Sequence, residues 1–209
     1  MSSPRKGDAK PSIALTFERT AFSLFSPLLQ SGIQVPAALS CSIQSFLCDQ
    51  MGLEPDYVRD RILSIVLDGR PVDDTEKALL GDGSLLALSS GMPGLAGAAL
   101  RRGGLLASFR GSITHKESAA PVAEHEGTIC VKLFNLMMQE LGPRFLERGI
   151  LIQSGALARF LNQNRGPLLE KCRSIRRNEV AVEPAGFLKE IADNEEELLL
   201  SVTLTPNGP

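Results

Sequence analysis

The 209-residue sequence predicts an α+β protein, and three observations carry that prediction. Segments of strand periodicity occur at both ends of the chain: Ser12–Glu18 alternates Ile13, Leu15 and Phe17 against polar or small residues, and residues 198–204 are leucine-rich behind three glutamates. Segments of helical spacing lie between them, bounded by capping residues and glycines. Apolar residues make up 43% and charged residues 22%, enough to bury a core.

Taken in order, residues 1–11 are polar and proline-bearing and read as a tail. After the first strand, residues 20–29 are apolar but broken by Pro27, and 32–36 form a short second strand. Ser42 is placed to cap a helix running to Met51, with Ile43, Phe46, Leu47 and Met51 on one face and Gly52 as its stop. Residues 54–61 add a turn of helix. Residues 62–67 are apolar and β-branched, a central strand, and Asp68-Gly69 turns the chain. Pro71-Val72 fits only an edge. Asp82-Gly83 turns again before a strand at Leu85–Ser89, and a short helix follows at 95–102. Gly103-Gly104 then leads into a strand at 105–114.

The polar stretch 112–126, which holds His115 and His125, reads as a linker between a domain at 12–111 and an α+β unit at 127–209. That unit opens with a strand at 128–134 and a helix stopped by Gly142-Pro143, then a short element at 145–152. Helices follow at 155–164 behind Ser154, from Pro167 through Ile175, and at 184–193, before the final strand. No repeat between the halves is visible in the residues.

The run Ile65-Val66-Leu67-Asp68-Gly69-Arg70-Pro71-Val72, followed by Leu80-Gly81-Asp82-Gly83-Ser84-Leu85-Leu86-Ala87-Leu88, resembles the second half of the ubiquitin-like β-grasp sulfur carriers. Those include the molybdopterin-synthase small subunit and the thiamine sulfur carrier. The resemblance, confined to the first half, implies a β-grasp-like mixed sheet there. In that family the last strand leads to a C-terminal Gly-Gly whose carboxylate is adenylated and then thiolated. Here Gly103-Gly104 is followed by half the chain, so a carrier role in cofactor biosynthesis would require cleavage after Gly104.

Function is sought first where glycine is dense, because glycine permits positive φ and close backbone approach. Gly91, Gly94, Gly97, Arg101, Arg102, Gly103 and Gly104 are the candidate ligand or partner contacts. The GxxGxxG spacing before a short helix resembles a phosphate-binding turn but lacks the GxGxxG pattern and its acidic ribose reader. Arg173, Arg176 and Arg177 stand at helical spacing as a secondary basic cluster.

Other chemistries find little support. His115, His125 and Cys130 fit no zinc spacing, so neither metal nor cofactor is expected. There is no GxSxG and no recognised Cys–His signature, which disfavours an enzyme. A net charge of −2, no Trp and one Tyr argue against nucleic acid. The uncharged stretches 20–48 and 84–100 are interrupted by Pro and Gly, so no membrane span is expected. The four cysteines form no CxxC, and with no export signal read the chain is expected in the cytoplasm. The resulting expectation is a non-catalytic interaction or accessory module with a protein partner contacting 91–104. A sulfur-carrier component, or a binder or enzyme for a phosphorylated small molecule, are the alternatives. An apolar strand at 198–204 would allow a homodimer.

Overall fold

The computed structural model describes residues 10–91, 94–104, 114, 125–192 and 195–206. Residues 1–9 of the tail expected at 1–11, Met92-Pro93, residues 105–113 of the strand expected at 105–114, and His115 lie outside the described residues. The first half runs β1 (Ser12–Glu18), a 3₁₀ segment (Arg19–Phe25), α1 (Ser26–Ser31), β2 (Ile33–Leu39), α2 (Ile43–Ser45) and a π-helical turn (Phe46–Gln50). It continues with α3 (Pro55–Asp60), β3 (Ser64–Leu67), β4 (Arg70–Pro71), β5 (Leu85–Ser89) and α4 (Gly94–Leu100). The second half runs β6 (His125–Phe134), α5 (Leu136–Arg148), β7 (Ile150–Gln153), α6 (Ser154–Gln163), α7 (Arg165–Lys171), β8 (Cys172–Arg177), β9 (Val180–Ala181), α8 (Pro184–Ala192) and β10 (Glu197–Thr205). The fold class is therefore α+β with mixed strand pairing.

Two compact units are present, one of residues 26–145 and one joining 1–25 to 146–209. In the first, the strand order is β4-β3-β5-β6-β2, antiparallel except for β5 against β6. In the second it is β9-β8-β1-β10-β7, antiparallel except for β1 against β10. Both units thus show the same sequence of senses across five strands, a repetition of pairing that the residues do not advertise.

This arrangement corrects the expected division at 112–126. β1 pairs with no first-half strand; it lies between β10 and β8. β6, from beyond the expected boundary, lies between β5 and β2. Alternation predicts that Ile13, Leu15 and Phe17 are buried, and they are 0%, 1% and 1% exposed. It does not predict against what, because pairing is non-local. β10 is flanked by β1 over Leu199–Thr205 and by β7 over Glu197–Leu200.

Local signals behave as expected where they concern caps and turns. Ser42 Oγ accepts from Ser45 N at 3.0 Å, and Gly52 ends the element with φ +66°. The turn motifs that carried the family resemblance hold the sheet together. Asp68 Oδ1 accepts from Leu85 N at 2.7 Å, and Asp82 Oδ1 accepts from Thr128 N at 2.9 Å.

Two second-half expectations fail. α5 does not stop at Gly142-Pro143 but runs to Arg148. Met137, Leu141, Phe145 and Leu146 form a buried stripe on it, and the Phe145 ring lies 6.4 Å from that of Phe46. That burial outweighs the roughly 3 kcal/mol an internal proline costs. The helix expected from Pro167 through Ile175 ends at Lys171, and 172–177 is the strand β8.

Candidate functional site

The segment 91–104 follows β5 in the 26–145 unit. At its start, Gly91 has φ +131°, a conformation suited to glycine. Its N–H donates to Ser89 Oγ at 3.2 Å, and its carbonyl accepts from Asn135 Nδ2 at 2.6 Å. The same amide also donates to Ser89 Oγ at 3.1 Å, and Leu136 N donates to Ser90 Oγ at 3.3 Å. Asn135 takes φ +54°, a left-handed geometry that asparagine tolerates better than most residues. The junction of β6 and α5 thereby fastens the entry to α4.

α4 packs on β3 with Gly97 buried, while Gly94 and Ala98 are exposed. Gly94 and Gly103 have φ +76° and +60°, and a Cβ built on either meets nothing within 4 Å. Those two glycines answer to backbone geometry, not to crowding. The helix exit is fastened by Arg102. Its N–H donates to Leu63 O at 2.8 Å, and its Nη2 donates to the carbonyls of Val58 at 2.5 Å, Ile62 at 2.8 Å and Arg59 at 3.3 Å. These are carbonyls at the end of α3, which lack helical partners there. Burial pushes the Arg102 pKa below the ordinary guanidinium value, with Asp73 opposing it; arginine stays charged regardless.

The expected contacts therefore separate by role. Arg102 and Gly91 are spent on internal ties and Gly97 faces inward, whereas Gly94, Arg101 and Gly103 are exposed. Gly104 closes the turn, its N–H donating to Arg101 O at 3.3 Å. Reading residues alone missed Ser89 and Asn135. The signal for Asn135 was present, a lone asparagine at a strand-to-helix junction. Leu136, at 49% exposed, is one of two large exposed apolar residues among the described ones, with Val180.

The secondary cluster is not on a helix. Arg173, Arg176 and Arg177 lie on β8, where period two replaces the expected shared face. Arg173 pairs with Glu18, and Arg177 pairs with Glu190 and with Glu196, the latter at 2.7 Å. Arg176 is exposed. Two of the three thus tie β8 to neighbouring elements. Among the described residues, no group of three His, Cys, Asp or Glu is placed to hold a metal, and no helix is long and apolar enough to cross a membrane.

The chain matches no protein-family model, no curated protein and no solved structure.

Proposed function

We propose that this protein is a non-catalytic interaction module whose α4 segment, with Gly94, Ala98, Arg101 and Gly103 outward, meets a partner protein. One observation carries the reading: a short helix is fastened at entry by Asn135 and at exit by Arg102, yet leaves Gly94, Ala98, Arg101 and Gly103 exposed. A surface already held in shape loses little entropy on docking. Leu136, whose N–H meets Ser90 ahead of the segment, adds exposed apolar area of the kind that marks contact sites.

The phosphate-binding alternative draws less support. α4 has seven residues, the Gly91 N–H is already engaged, and Arg102 faces carbonyls. Of the β-grasp reading of 12–111, residues 33–89 keep the element order of strand, helix, strand, short strand and strand, whereas β1 pairs with β10 and β8. A free 1–104 sulfur carrier fits poorly, because release at Gly104 would take β6 from between β5 and β2.

The test uses Ala98→Asp and Arg101→Asp in the full chain. Partner capture is expected to fall at least about tenfold, equivalent to about 1.4 kcal/mol, with the melting temperature unchanged. Undiminished capture by both variants would overturn the reading.

A further inference from the structure

We infer that the two sequence halves are interlocked partners, so that hydrolysis of one peptide bond between Gly104 and His125 leaves a single assembled two-chain protein. The inference stands apart from the contact role of α4. It rests on which half supplies each strand. The 26–145 unit takes four strands from the first half and β6 from the second. The other unit takes four strands from the second half and β1 from the first.

Each donated strand is paired on both sides. β6 is antiparallel to β2 from Ile33↔Val131 to Leu39↔His125 and parallel to β5 from Leu85↔Cys130 to Ser89↔Phe134. β1 is parallel to β10 from Ser12↔Leu199 to Glu18↔Thr205, and antiparallel to β8 from Ile13↔Arg177 to Phe17↔Cys172. Their inward residues are core: Ile129, Val131 and Leu133 are each 0% exposed. Separating the halves would open the strand pairing of both units at once, exposing apolar faces and unpaired backbone groups. A break in the intervening stretch cuts none of these pairings. Hydrolysis adds one water across the C–N bond and leaves a carboxylate and an ammonium. What is lost is the effective concentration that the connection supplies, so the assembly becomes bimolecular without becoming weak.

The test inserts a specific protease recognition sequence after Thr114 in the full-length protein and cleaves it in the folded state. Two bands on a denaturing gel should elute as one peak at the position of the uncut 22.5 kDa chain. The melting temperature of the cut sample, unlike that of the uncut one, should rise with protein concentration. Two separate peaks, precipitation on cutting, or a concentration-independent melt would overturn the inference. If the inserted sequence resists cleavage, coexpressed 1–104 and 105–209 with a tag on one half decide it. Copurification in equal amounts supports interlocking; recovery of the tagged half alone refutes it.

Discussion

At the scale of single residues, the two adjacent arginines of the glycine segment do opposite work. Arg102 supplies hydrogen bonds to three carbonyls, whereas Arg101 is exposed. Arg102→Ala is therefore expected to lower the unfolding free energy by about 1–3 kcal/mol, because it removes the donor to three carbonyls, two of them in part-buried bonds. Arg101→Ala should cost less than Arg102→Ala, since its side chain is exposed. Urea unfolding of the two variants checks the contrast. Gly127 is a second residue whose identity is set by space. A Cβ there would stand 2.2 Å from Leu39 Cδ1 and 2.8 Å from Asp82 Oδ1, and Leu39 is fully buried with little room to yield. Gly127→Ala is expected to cost about 1–3 kcal/mol by overpacking, read by the same unfolding series. Sequence reading singled out neither Gly127 nor Arg102 for these roles. Glycine density drew attention to the right segment but could not say which members face in.

At the scale of elements, α3 and α5 are joined by a polar clamp. Tyr57 Oη donates to Glu140 Oε2 at 2.6 Å, and Arg61 pairs with Glu140. The Tyr57 hydroxyl first and the Arg61 guanidinium second hold the Glu140 carboxyl below the usual carboxylate range. Burial first, then Glu140, pushes the Tyr57 pKa upward. A carboxylate with a depressed folded pKa contributes stability that is present above its unfolded pKa, near 4.3, and is lost as pH falls through the folded value. Glu140→Gln should thus be less stable than wild type at pH 7, by at most about 1 kcal/mol for so accessible a pair. The gap should close as the pH drops from 5 toward 3, and chemical unfolding across that range measures it. Most elements were legible at this scale: β1, β5, α8 and β10 were read to within a residue or two, since alternation and caps are local. α5 and β8 were not. Pro143 is a strong local stop, overridden by the Met137–Leu141–Phe145 stripe, and Arg173–Arg176–Arg177 at helical spacing became a strand because Ile175 is buried where β8 pairs with β1.

At the scale of the whole molecule, the division into units was illegible because it is a property of pairing. β1 carries its apolar face in plain view, but nothing in residues 12–18 says that its neighbours are β10 and β8. Deleting residues 1–18 should accordingly destabilise the unit holding 146–209 more than the 26–145 unit. Native-state hydrogen exchange would show it, with protection lost along β8 and β10 and kept along β3, β5 and β6. The functional claim belongs to this scale as well, since it concerns which surface the folded chain offers. Its most direct measurement is site-specific photocrosslinking in living cells, with the crosslinker at Ala98 on α4 and, for comparison, at Val180, exposed on β9. The account predicts a discrete higher-mass adduct from position 98 and none of that mass from position 180. Adducts of equal yield from both positions, or from position 180 alone, would contradict it.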